Sequence, residues 1–160
     1  MAGTTKHDAS ANVARRRVVA LLAVGAATGA VVASRWFNIW AEIDDGALGV
    51  AQAHAAAMAG DLLLVDIRRP DEWALTGVGE GAVPIDMRRQ DFETVLLARA
   101  GGNLNQPIAL ICARGVRSRH LAKRLSDAGF AQVLDVPEGM LGSGAGPGWL
   151  AQGLPVIKWG

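Results

Sequence analysis

The chain has 160 residues, a formal net charge of +1 and 51% hydrophobic residues. That length fits one domain with a tail, and the apolar content excludes wholesale disorder. The near-neutral charge, with no basic stripe, argues against a general nucleic-acid binder. The single cysteine excludes an internal disulfide, CxxC redox chemistry and a cysteine-rich zinc site. His7, His54 and His120 are far apart in the chain, so no metal site and no cofactor are expected.

Residues 1–17 are polar, rich in small residues and end in Arg15, Arg16 and Arg17. They read as a disordered basic N-region. An uncharged run follows over 18–34, and a basic cluster before an apolar run is the pattern of a secretory signal or membrane anchor. Both outcomes stay open. Val31-Val32-Ala33 offers a cleavage site, whereas Arg35, Trp36, Phe37 and Trp40 resemble an interfacial belt. The twin arginines also weakly resemble an export signal. The expectation is a single-pass inner-membrane protein with its domain on the periplasmic side and the membrane as a partner. The alternative is a cleaved form, soluble in the periplasm. Residues 35–47 read as a linker, and the folded domain is expected over 48–158.

Within that domain, Val50 to Ala59 has helical character and Gly60 suits its end. Leu62 to Val65 is an apolar run fitting a buried strand. Pro70, Asp71 and Glu72 suit a helix first turn. Ala82 to Ile85 is a short strand. Phe92, Val95 and Leu96 predict a helix over 91–100, stopped by Gly101 and Gly102. Ile108 to Ile111 is the clearest strand. Ser118 to Ala128 is amphipathic, and Val133-Leu134 is another strand. The alternation predicts an α/β domain with a mostly parallel sheet and helices on both faces. Gly142 to Gly148 reads as a flexible surface loop.

Cys112 falls at the carboxyl end of the central strand, where open α/β sheets bind ligands. Gly115 lets the segment Cys112-Ala113-Arg114-Gly115-Val116-Arg117-Ser118 curve tightly. A tight loop at a helix start aims backbone N–H groups inward and favours an anion at its centre. Arg114 and Arg117 add to that field and favour a nucleophilic thiolate.

Cys-x-x-Gly-x-Arg-Ser resembles the active loop of the rhodanese family of sulfurtransferases. Asp66-Ile67-Arg68-Arg69-Pro70-Asp71-Glu72-Trp73 is similar to that family's Asp-x-Arg-x-x-x-Glu-Trp signature. Gly77, Gly81 and Ala82 resemble the pattern that follows it. Glu138-Gly139-Met140, Gly148-Trp149 and Gly153-Leu154-Pro155-Val156 resemble the family's closing segment. The resemblance implies a rhodanese-like α/β fold, and sulfane-sulfur transfer through a persulfide on Cys112. The donor would be anionic, as thiosulfate is, and the acceptor a thiol or cyanide. A persulfide carrier or docking module without rapid turnover is the alternative.

Within this reading Ala113, Arg114, Gly115, Val116, Arg117 and Ser118 bind substrate, with Arg114 facing an anionic donor. Arg117 either steadies the anion or pairs with Glu72 or Asp66. Asp66, Arg68 and Glu72 brace the site, and His120 is a surface or packing residue. Two departures from the family pattern concern the pocket rim: Val78-Gly79-Glu80 after Gly77, and Glu138 in place of a glycine. Cysteine phosphatases place arginine six positions after cysteine. Here Arg117 is at the fifth and Ser118 at the sixth, a shorter ring that suits a sulfur-centred group.

Overall fold

A computed structural model describes residues 37–38, 41–43 and 46–160. Helix α1 (Val50–Ala59) starts after Gly49 and ends at Gly60, whose φ of 80° is left-handed and suited to glycine. Strand β1 (Leu63–Asp66) leads to α2 (Pro70–Thr76), which has its proline in the first turn. Strands β2 (Val78–Gly79) and β3 (Ala82–Pro84) and helix α3 (Phe92–Arg99) follow. Then come β4 (Ile108–Ile111), α4 (Val116–Asp127) and β5 (Val133–Val136). A four-residue helix α5 (Gly148–Ala151) and strand β6 (Val156–Ile157) close the chain.

The main sheet has the order β3-β1-β4-β5, and each of its pairings is parallel. Parallel strands need crossovers, and helices supply them on both faces. Alternation along β4 divides the core. Ile108, Leu110 and Cys112 join Phe92, Leu96, Leu121 and Leu125 under α3 and α4. Ala109 and Ile111 join Val50, Ala53, Met140 and Trp149 under α1 and α5. Burial on both sides explains why β4 reads as an unbroken apolar run.

Two features differ from expectation. The β2–β6 antiparallel pair has only two residues per strand, too few for a periodic signal. Helix α4 begins two residues before the predicted Ser118, because Gly115 at φ 79° turns the chain directly into the helix.

The membrane expectation is corrected. Among the described residues no helix is long and apolar enough to cross a membrane. The longest, α4, has 12 residues. That spans about 18 Å at 1.5 Å per residue, against a hydrocarbon core of about 30 Å. The anchored single-pass inner-membrane placement, and the membrane as partner, are therefore withdrawn. The signal, anchor and N-terminal hydrophobic helix expected over 18–34 lie outside the described residues.

Candidate functional site

Parallel strands bring the ends of β1, β3, β4 and β5 to one edge of the sheet. The chain emerging from β4 there carries Cys112, which is 1% exposed. From Cys112 it curves through Gly115 into α4, and the Ser118 hydroxyl reaches back to the Cys112 sulfur at 3.5 Å. That contact closes a ring of seven residues, and Ser118 is itself fully buried.

Two glycines allow the ring to sit where it does. A Cβ on Gly115 would strike Pro137, its Cα at 2.7 Å. A Cβ on Gly139, whose φ is 66°, would strike the Ala113 carbonyl carbon at 2.6 Å. The 139–141 segment therefore lies directly against the loop. Met140 and Leu141 donate their backbone N–H groups to the carbonyls of Cys112 and Ala113, both at 2.9 Å. The outward carbonyls are thus satisfied. The N–H groups of Ala113, Arg114, Gly115, Val116, Arg117 and Ser118, by contrast, donate no hydrogen bond among the described residues. The first N–H groups of any helix lack an intrahelical acceptor. Here the preceding loop extends that set into a run of unpaired donors beginning directly after the cysteine, an arrangement that accommodates an anion.

The two loop arginines are engaged differently. Arg117 makes a bidentate ion pair with Glu72 of α2, both bonds 2.7 Å. Of its two sequence-level options, the described contact is the one to Glu72. Glu72 is pushed up by burial, but hydrogen bonds from Arg117 and Arg69 outweigh this and bring its carboxyl down to about 2. Arg117 is raised above its ordinary value, first by Glu72, against burial, with a further contribution from Cys112. Arg114 donates to the Gly142 carbonyl at 2.9 Å and lies 4.7 Å over the Phe37 ring. It lines a cleft of about 390 Å³ with Phe37, Leu141, Ser143 and Pro147. Val116 and His120 are exposed.

Beyond β1, Asp66 and Arg68 form a buried fork. The Arg68 Nε donates to Asp66 Oδ1 at 2.9 Å, and Nη2 donates to Oδ2 at 2.7 Å. The remaining Arg68 donors reach Thr76 Oγ1 and the Gly77 carbonyl, each at 2.7 Å. A more distant bond goes to the Glu72 carbonyl at 3.4 Å. This fork fixes the start and end of α2, and α2 presents Glu72 to Arg117.

The family departures also find their places. Val78-Gly79 forms β2, and Glu80 bonds His54 of α1 at 3.0 Å. Glu138 is buried and accepts from the N–H groups of Val50 at 3.0 Å and Gly148 at 3.2 Å. It also accepts from Gln152 at 2.6 Å, so one carboxylate holds the starts of both α1 and α5. The 142–148 stretch, expected to be flexible, is tied by this carboxylate and by Ser143, whose hydroxyl donates to the Pro137 carbonyl at 2.7 Å. Part of the expected linker is packed on the domain too. Asn38 donates to the Arg114 carbonyl at 2.8 Å, and Ala47 bridges to Asp135.

Sequence reasoning overlooked Asp135, a buried acid in β5. The available signal was one charged residue inside the run Val133-Leu134-Asp135-Val136.

A parallel sheet with a cysteine loop at its carboxyl edge defines an α/β domain whose candidate site is that loop. The rhodanese-like domain model matches residues 50–143, and the chain belongs to that family. Among solved structures it is similar to the polysulfide-sulfur transferase homodimer of Wolinella succinogenes. The identity is 25% and the TM-score 0.54, covering 82% of this chain and 88% of that one. It is also similar to a rhodanese-related protein of Thermoplasma volcanium, at 22% identity and TM-score 0.53, covering 71% and 98%. A Rhodopseudomonas palustris protein of unknown function, named "Possible Tyrosine Phosphatase", matches at 24% and TM-score 0.52, covering 69% and 83%. The last two likenesses concern the fold alone.

Proposed function

We propose that this chain carries sulfane sulfur as a persulfide on Cys112 and hands it to an external thiol, acting as a carrier rather than a rapid-turnover enzyme. The observation that carries this reading is the run of unpaired N–H donors from Ala113 to Ser118, closed on the cysteine by the Ser118 hydroxyl. Such a ring stabilises a terminal persulfide anion without any cofactor. In loading, the Cys112 thiolate attacks the outer sulfur of a donor. A new S–S bond forms, the donor's own S–S bond breaks, and the leaving group departs with that electron pair. In unloading, an acceptor thiolate attacks the outer sulfur, and Cys112 leaves as a thiolate. No second cysteine exists for an internal relay.

The carrier reading is favoured by the burial of Cys112 and by the engagement of both loop arginines, Arg114 on a carbonyl and Arg117 on Glu72. The Arg117 guanidinium is held by Glu72 through both terminal nitrogens, whereas Arg114 is held through one. Asp66, Arg68 and Glu72 act as braces that hold α2 and, through Arg117, the loop. The unit carrying this chemistry is residues 48–158.

Catalytic turnover is the second reading, supported by the likeness to the Wolinella succinogenes polysulfide-sulfur transferase. One experiment separates the two. The protein is treated with polysulfide or thiosulfate, its intact mass is measured, and turnover with cyanide and a small thiol is followed. The carrier account expects one added sulfur atom in the parent, none in Cys112→Ser, and slow turnover. Fast Cys112-dependent turnover would establish the enzyme instead, and absence of loading would remove both readings.

A further inference from the structure

Among the described residues two tryptophans are buried, Trp73 and Trp149. Trp149 donates its Nε1–H to the Pro155 carbonyl at 2.9 Å. Trp73 is 3% exposed, and its Nε1–H meets no acceptor. A buried donor without a partner is uncommon and calls for a physical reason. Trp73 belongs to α2 and helps to line a cleft of about 480 Å³. That size suits a small organic molecule.

The cleft lies between α2, α3 and the chain leaving β3. Its apolar wall comes from Pro84, Ile85 and Val95, and from Trp159 beyond β6. The Trp159 ring stands 5.0 Å from that of Trp73, inclined at 65°, and Trp159 is 42% exposed. An aromatic surface is therefore open at the cleft. Three charged residues also line it: Asp86, Arg89 and Arg99. Asp86 is paired with Arg88 at 2.6 Å, and Arg89 with Asp91 at 2.8 Å. Arg99, in the last turn of α3, has no hydrogen bond or ion pair among the described residues. The helix dipole favours a cation at that end but gives it no anionic partner. One positive charge is thus left uncompensated on the cleft wall.

We propose that this cleft is a second ligand site, built for a small aromatic carboxylate. The flat body of the ligand packs against Trp159 and the apolar wall. An oxygen of the ligand accepts the Trp73 N–H, and its negative charge faces Arg99. A bare inorganic anion would gain from Arg99 alone, and an exposed ion pair in water is weak. A hydrocarbon ring would leave the indole N–H unpaired. The two features together select an aromatic ring that carries an anionic acceptor. None of the lining residues belongs to the 112–118 loop, and the site does not depend on sulfur chemistry.

The test titrates the full chain with 2-naphthoate and, separately, with the uncharged 2-naphthamide, and follows the tryptophan indole N–H signals by nitrogen-15 NMR. The Trp73 indole proton should shift saturably with both probes, and naphthoate should bind about threefold more tightly. Arg99→Ala should bring the two affinities together. Trp73→Phe keeps an aromatic ring but removes the donor, and should weaken both probes about fivefold. Should Trp73→Phe fail to fold, the Trp73 signal of the parent chain and the Arg99→Ala comparison still decide. A probe that moves only the exposed Trp159 signal, or equal affinity for both probes in the parent chain, would overturn the proposal. So would a Trp73 proton that responds to Trp159→Ala but to neither probe, because the neighbouring ring would then be its partner.

Discussion

The chain leaves the same edge of the sheet after β1 and after β4, and the two exits treat their polar groups in opposite ways. After β1, Asp66 and Arg68 are buried and saturated, with bonds from every guanidinium nitrogen. After β4, the donors from Ala113 to Ser118 have no partners among the described residues and lie beside a buried sulfur. Buried polar groups are normally paired, since an unpaired one costs about 1–3 kcal/mol. A saturated network therefore reads as scaffold, and the run of unpaired donors is the group to which the proposed function assigns the persulfide anion. The Glu72–Arg117 pair joins the two exits, passing the rigidity of the first to the second.

The largest effect is expected where the scaffold is broken. Arg68→Ala leaves the Asp66 carboxylate buried and unpaired, at a cost of about 3–5 kcal/mol. Thermal unfolding should show a large fall in Tm, while the molecules that remain folded still load sulfur at Cys112. If Arg68→Ala left Tm unchanged, the exit after β1 would not be the brace described.

A smaller effect is expected at the joint. The Glu72 carboxyl stands at about 2 in the folded chain, below its ordinary 4.5. A depressed folded value means the pair contributes its full stability above about pH 4.5 and loses it as pH falls towards 2. Tm should decline across that window, and Glu72→Gln should flatten the decline while lowering Tm near neutrality by an amount worth about 1–3 kcal/mol. An equal acid decline in Glu72→Gln would place the acid sensitivity elsewhere.

The smallest effect belongs to Arg114. Its bond to Gly142 and its stacking on Phe37 lie at the partly exposed rim, so Arg114→Ala should cost about 0.5–1 kcal/mol. Sulfur loading from an uncharged persulfide donor should be unaffected. A large loss of loading would instead show that Arg114 swings in to meet the donor.

Much of this contrast was readable in the residues. Apolar runs marked β1 and β4, and Gly115 with Cys112 marked the loop, because these features depend on local composition and backbone freedom. The Arg117–Glu72 pairing could be named as one option only, since spacing cannot decide among partners 45 residues apart. Glu138 looked like a departure at the pocket rim. Its role in holding two helix starts depends on α1 and α5 meeting, which no local pattern announces. Asp135 was overlooked because its burial follows from register: it lies opposite Leu110, on the face that carries Cys112. The membrane expectation drew on residues 18–34 and on rules about composition, without support from any described helix.

The central claim is that the N–H groups of residues 113–118 hold an anionic sulfur on Cys112. The most direct measurement is the backbone amide NMR spectrum before and after polysulfide loading, with loading verified by mass. The account predicts that the largest proton shifts, downfield, fall on Ala113 to Ser118, while the amides of 66–72 stay nearly still. Verified loading on Cys112 that leaves the 113–118 amides unmoved would contradict it.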